Sequence, residues 1–188
     1  MPSQWKQKRK SIRHYDQTAP TYDSQYQEEQ EAKITAAFEN LRLDSNAVIL
    51  DLGCGTGIFF SHVAENAKLI MGIDTSLAFL KQARAKTARN AHIIRADADH
   101  QPFKADTFSH TFAFTLIQNT PNPLETLEEL KRTARLNATI VITGLKKHFT
   151  LENFTQLLRK TDLEILSLIT DDTLKDYIAI CQKHLNSL

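Results

Sequence analysis

Asp51, Gly53, Gly55 and Gly57 occupy alternate positions of the stretch VILDLGCGTG, directly after three apolar residues. Such a run reads as a strand ending in a turn, where glycine permits positive φ and lets a ligand approach the backbone. In an open α/β sheet the turn after the first strand is where nucleotide-like ligands bind. A dinucleotide fingerprint needs a third glycine at position 58, which is Ile58, and no Gly-Lys-Ser/Thr phosphate loop is present. Asp51 beside the turn would repel a pyrophosphate and attract a positive group such as an amino acid ammonium. Asp74, in MGIDTS, follows about 20 residues later, where an acid accepts from ribose hydroxyls. Asp97, in RADADHQPF, ends the next apolar run, where a carboxylate can accept from an adenine amino group. An adenosine that carries an amino acid and no phosphates satisfies all three acids, and S-adenosylmethionine is that ligand.

Elements of two kinds must position these residues. Short runs that are apolar on both faces, Val48–Leu50, Leu69–Ile73, His92–Ala96, Phe108–Phe114 and Ile140–Thr143, read as parallel strands covered on each side. Between them the spacing predicts helices over Ile58–Glu65, Leu77–Thr87 and Pro123–Arg135. The last opens with Asn122 as cap, Pro123 at the first position and Glu125 in an N-x-x-E box. A helix over Leu151–Lys160 and two strands, LEILSLIT and DYIAICQK, follow; only DDTLKD joins these strands, so they form an antiparallel pair. The expected fold is α/β: a doubly wound, mostly parallel seven-strand sheet with an antiparallel last strand and helices on both faces. Residues 1–45 read as a helical lead-in and lid, in which Ile34, Ala37, Phe38 and Leu41 share one face, and residues 46–188 as the ligand-binding domain.

Bulk properties exclude several classes. A chain of 188 residues buries enough surface to fold without staples. A formal net charge of +1 gives no global field for nucleic acid or membrane. Cys54 and Cys181 match no metal or redox spacing, which makes a reducing, cytoplasmic setting the expectation. Cys54 reads as a buried filler, and DADHQPFKAD lacks the glycine and closing glutamate of a calcium loop, so no metal is expected. No apolar run reaches a membrane span, and no apolar stretch follows the first basic residues as a secretory signal requires.

VILDLGCGTG, GIDTS, RADADHQPFKADTF, TFAFTLIQNTPNP and the lead-in HYDQTAPTYDSQY together resemble the successive motifs of class I S-adenosylmethionine-dependent methyltransferases, of the quinone-biosynthesis and small-molecule type. The resemblance implies that Asp51, Gly53 and Gly55 cradle the methionine part. It places Asp74 on the ribose with Thr75 nearby, Asp97 and the Ala98 backbone at the adenine, Thr115 under the methionine end, and Tyr22 as a tyrosine that closes over the cofactor. The chain departs from the family where Phe108-Ser109 stands for Phe-Asp, where Gln118-Asn119 stands for paired histidines, and where Leu136-Asn137-Ala138 replaces a Pro-Gly-Gly turn; Asn137 is expected to take the positive φ there.

The acceptor is expected to lie near Tyr15, Gln118, Asn119 and His148, beyond the fourth and fifth strands. No catalytic residue is assigned, since an electrophilic methyl group chiefly requires an acceptor held in line. A small organic acceptor is the first reading, and an RNA or protein acceptor with a helper subunit the second. A non-catalytic S-adenosylmethionine-binding subunit and a nicotinamide oxidoreductase are rivals from other classes, the latter opposed by Ile58. Lys6–Lys10 reads as a solvated charge run. The sequence leaves the oligomeric state open.

Overall fold

The structure is a computed structural model and describes residues 4–184. It opens with one helix, α1 (Gln4–Glu39), and alternates thereafter: β1 (Val48–Leu52), α2 (Phe60–Val63), β2 (Leu69–Asp74), α3 (Leu77–Lys86), β3 (Ala91–Arg95), β4 (Phe108–Ala113), α4 (Pro123–Thr133), β5 (Ala134–Leu145), α5 (Leu151–Arg159), β6 (Leu163–Ile169) and β7 (Asp176–Lys183). The seven strands form one sheet in the order β3-β2-β1-β4-β5-β7-β6. β1 to β5 pair in parallel, and β7 runs antiparallel to both of its neighbours. The strand order reverses between β1 and β4, so the crevice beyond their carboxyl ends is the topological binding position of such a sheet.

Alternate residues of each strand serve different layers. Ile49, Ile70, Phe112 and Val141 face Ile34 and Ala37 of α1, the Phe59–Phe60 corner, and Leu80 and Ala83 of α3. Leu50, Leu52, Ile73 and Ile142 face Leu127 and Leu130 of α4 and Phe154 and Leu158 of α5. Continuous apolar strands follow directly from this two-sided burial.

Four local expectations change. The polar lead-in and the helix after it are one 36-residue helix that continues through Pro20. The missing amide of Pro20 leaves one helical bond unmade; beside it, the Ala19 carbonyl accepts from Gln82 Nε2 of α3 at 2.7 Å. The helix after the glycine turn begins only at Phe60, because Phe59 turns its ring into the core against Phe112, with centroids 4.5 Å apart. β5 begins at Ala134 rather than near Ile140, and residues 135–138 form a bulge within it. Asn137 has φ 60° in that bulge. The N-x-x-E box at α4 does not cap the helix: Asn122 makes no side-chain capping bond and instead donates to Glu125 Oε2 at 3.4 Å.

Gly72 marks the tightest packing between β2 and the glycine turn. A Cβ built there would lie 2.6 Å from the Phe60 ring and 3.0 Å from Cys54 Sγ. Gly72→Ala is expected to destabilise the fold by about 1–3 kcal/mol through overpacking, read as a lower urea midpoint with an unchanged slope.

Candidate active site

The acids of the sequence motif lie together at the carboxyl edge. Asp51 is the penultimate residue of β1, just before the glycine turn; it is 2% exposed and its Oδ2 has no hydrogen-bond partner. Burial, and then the neighbouring Asp74, push its carboxyl up to about 8. Asp74 accepts from the Gly55 amide at 3.0 Å and from the Ser76 amide at 2.8 Å. Burial raises its pKa while those amide bonds pull the other way, and the net shift is upward. The turn between them is pinned by the Gly53 and Cys54 amides, both 2.9 Å from the Ile73 carbonyl. Gly53 and Gly55 have φ 79° and 53°, and a Cβ at Gly55 would meet only the Phe79 ring, at 3.7 Å. The second glycine therefore answers to backbone conformation and to the open cavity above it.

α1 roofs this edge. Asp16 accepts from Ser76 Oγ at 2.6 Å and from the Ala78 amide at 3.1 Å, at the N-terminus of α3. Burial opposes its ionisation, yet these bonds hold its carboxyl below the usual range. Tyr15 and Tyr22 pack on Phe79 with centroids 5.3 and 4.8 Å away. Asp23 binds Thr56 Oγ1 and Lys86. The expected solvated charge run is corrected at Lys8: its ammonium is 2.6 Å from both Asp97 and Asp99. Burial opposes the charge, but the two carboxylates raise its pKa.

Three cavities meet under the roof. One of about 110 Å³ lies along Asp74, Thr75, Asp97, Ala98 and Lys8. A second is bounded by Asp51, Gly53, Gly55, Thr56 and Gln30. The third, about 210 Å³, brings Tyr15, Thr115, Gln118, Asn119 and His148 to one chamber, with His148 exposed at its mouth. Tyr22 borders all three. Thr115 lines the third cavity and neither of the other two. Its φ is 55° and its amide donates to Thr143 Oγ1 at 2.8 Å. Gln118 Oε1 and Nε2 are buried without partners. Lys146 turns elsewhere, to the Thr170 and Asp171 carbonyls. Cys54 is buried and its thiol is pushed well up, chiefly by burial, as befits a filler.

Sequence reasoning missed Asp16, Lys8, Gln30 and Lys33. Their partners lie 60 or more residues away along the chain, and no local spacing marks them. The helical period of α1 is their one available signal. Lys8 and Tyr15 are seven apart, as are Tyr15 and Tyr22, so all three fall on one face.

Sequence comparisons place this chain with the class I S-adenosylmethionine-dependent methyltransferases. Residues 50–142 match the family described as "Methyltransferase domain". Malonyl-[acyl-carrier protein] O-methyltransferase of Marinomonas sp. (strain MWYL1) is 30% identical over 144 residues, which is 74% of this chain and 53% of that protein. Demethylmenaquinone methyltransferase of Lactiplantibacillus plantarum is 32% identical over 109 residues, 54% of this chain and 46% of that protein. The chain thus spans about half the length of the curated relatives it matches. Among solved structures, a chain from the complex between the Haloferax volcanii Trm112 methyltransferase activator and its methyltransferase superposes with a TM-score of 0.80 at 16% identity, covering 91% of this chain and 98% of that one. A SAM-dependent methyltransferase of Aquifex aeolicus gives 0.75 at 18% identity, over 89% and 98%.

The cofactor of such a domain is S-adenosylmethionine, and the residues fit it. The buried Asp51 oxygen has no protein partner and is free to meet an ammonium, the Gly55 backbone is open to the cavity, and no ammonium or guanidinium lines the wall of the Asp51 cavity to serve a phosphate. No helix of the described residues is long and apolar enough to cross a membrane. Among them no cluster of metal-ligating side chains occurs.

The Lys8 contact can be tested in the free protein. Lys8→Met removes a charge-assisted contact worth about 1.5–3 kcal/mol, so amide exchange in residues 4–16 is expected to rise about tenfold or more while β1 and β4 exchange unchanged.

Proposed function

We propose that this chain transfers a methyl group from S-adenosylmethionine to an O, N or C atom of a small organic acceptor, by in-line displacement. The observation that carries the reading is the meeting of three cavities at Tyr22, with the unpartnered Asp51 carboxylate in one of them. When bound, the cofactor supplies a methyl carbon made electrophilic by its sulfonium. Asp74, with Thr75 beside it, takes the ribose hydroxyls. Asp97 and the Ala98 backbone take the adenine, for which Lys8 must yield Asp97. Asp51 answers the amino acid ammonium, while Gly53 and Gly55 admit the methionine chain and Thr115 supports its end. Tyr22 closes over the cofactor. Tyr15, Gln118 and Asn119 hold the acceptor, and His148 is placed to take a proton from an acceptor that must lose one. Positioning in a roofed site carries most of the rate.

On this reading residues 1–45 form the lid of a domain made by residues 46–188, and the protein works in the cytoplasm, consistent with two unpaired cysteines. The likeness to the Trm112-bound chain supports a second reading, an RNA or protein acceptor with a helper subunit.

Two measurements test this. Asp74→Ala is expected to weaken S-adenosylhomocysteine binding about a hundredfold by calorimetry, since charge-assisted bonds contribute about 1.5–3 kcal/mol each; unchanged affinity removes the ribose assignment. Labelled cofactor incubated with fractionated cell extract should place label in small molecules. Label in RNA or protein favours the second reading, and cofactor binding without transfer to any fraction marks a non-catalytic subunit.

A further inference from the structure

The residues beneath Tyr22 form a chain of hydrogen bonds that runs one way. Lys33 of α1 is 1% exposed, and its ammonium lies 2.7 Å from Asp176 Oδ2 at the start of β7, itself fully buried. Glu29 is also near, at 3.6 Å, although its other oxygen is held by Lys175 at 2.6 Å. An ammonium only donates. The 2.8 Å contact between Lys33 Nζ and Thr115 Oγ1 therefore has a fixed sense, with Thr115 accepting. The Thr115 hydroxyl keeps its own proton, which it donates to Gln30 Oε1 at 3.2 Å. Gln30 then presents Nε2 to the Tyr22 hydroxyl oxygen at 3.4 Å. Turning the Gln30 amide over would set its NH2 against Thr115 and leave the threonine proton without that acceptor. The remaining polar feature of Tyr22 is its O–H, on a residue that lines all three cavities.

Thr115 gives an independent sign that this arrangement is selected. A β-branched residue at φ 55° is strained, and such strain persists where the surroundings over-determine it. Here its hydroxyl is fixed by the Lys33 and Gln30 bonds of the chain and its amide by Thr143 Oγ1. Burial first, and then Tyr15, Glu29, Asp74 and Tyr26, raise the Tyr22 pKa, so the phenol keeps its proton.

We propose that Tyr22 is a catalytic hydrogen-bond donor to an oxygen of the methyl acceptor, with Lys33, Asp176, Thr115 and Gln30 as the positioning residues that aim its proton into the junction. This rests on the reading of the site as a methyltransferase centre. It selects acceptors that bring an oxygen lone pair to the junction, such as a phenolate or enolate. A protonated amine would set one donor against another. The partnerless amide of Gln118 offers a second polar contact for the same acceptor, in the third cavity.

The test uses 4-nitrophenol as the probe, with the full chain saturated with S-adenosylhomocysteine, as calorimetry establishes for each variant. The probe's ionisation is followed by phenolate absorbance. A donor aimed at the phenolate should raise the ionisation constant of the bound probe about tenfold or more in the wild type. Tyr22→Phe should return it to that of the free probe. Gln30→Glu should do the same with Tyr22 still present, because the introduced carboxylate accepts from both Thr115 and Tyr22 and reverses the chain. An equal shift in wild type and Tyr22→Phe overturns the proposal, as does a retained shift in Gln30→Glu. A wild type that binds S-adenosylhomocysteine but not the probe also overturns it. Absence of S-adenosylhomocysteine binding instead strikes the methyltransferase reading itself.

Discussion

A carboxylate without a partner governs this structure. Asp51 is held at the end of a central parallel strand, paired in register with Gly72 on one side and Phe112 on the other. It cannot turn to water, and Asp74, the acid nearest to it, repels its charge. Burying a carboxyl in this way is costly unless it is neutral or meets a cation. Its raised pKa keeps the group protonated in the free protein at neutral pH, and the glycine turn leaves a backbone-lined opening above it. Asp74 differs in that two amides already satisfy it, so it offers its remaining lone pairs to hydroxyl donors.

The roof follows the same logic. The C-terminal half of α1 is anchored by apolar packing through Ile34 and Ala37 and by Phe38 stacked on Phe112. Its N-terminal half combines Tyr15 packed on Phe79 with polar contacts, Lys8 to Asp97 and Asp99, and Asp16 to Ser76 and Ala78. Pro20 falls between the halves. Polar contacts of this kind exchange more readily for ligand contacts than a packed core does, and they lie over the cavities at the carboxyl edge. The buried Lys33–Asp176 pair sits on the anchored side, next to Thr115 and Gln30.

Much of this was legible in the sequence because the relevant patterns are local. The two-sided apolar runs marked β1 to β5, and the short segment between β6 and β7 marked them as an antiparallel pair. The Asp-x-Gly-x-Gly-x-Gly turn and the acids at 74 and 97 marked the edge where the cavities lie. What stayed hidden depends on long-range contact. Nothing near Lys8 in sequence announces Asp97, 89 residues away, and nothing near Lys33 announces Thr115 or Asp176. The failed cap at Asn122 has a different cause: the Asn122 amide turns to the Glu125 carboxylate instead of offering its oxygen to the first turn. The early start of β5 reflects a bulge that the sheet imposes on Arg135–Ala138, where propensity alone suggested a turn.

The most direct measurement is a pH titration of the Asp51 carboxyl by carbon-13 NMR, in the free protein and saturated with S-adenosylhomocysteine. The free protein should titrate near 8, and the complex should titrate about 1–3 units lower, because a neighbouring ammonium lowers a carboxyl pKa by that much. The raised value also makes folding favour the protonated form. Stability linked to this group should therefore be greatest near pH 4 and decline up to about 8, a slope that Asp51→Asn removes. An Asp51 midpoint in the ordinary carboxylate range in the free protein, or one that the ligand leaves unmoved, would contradict the account.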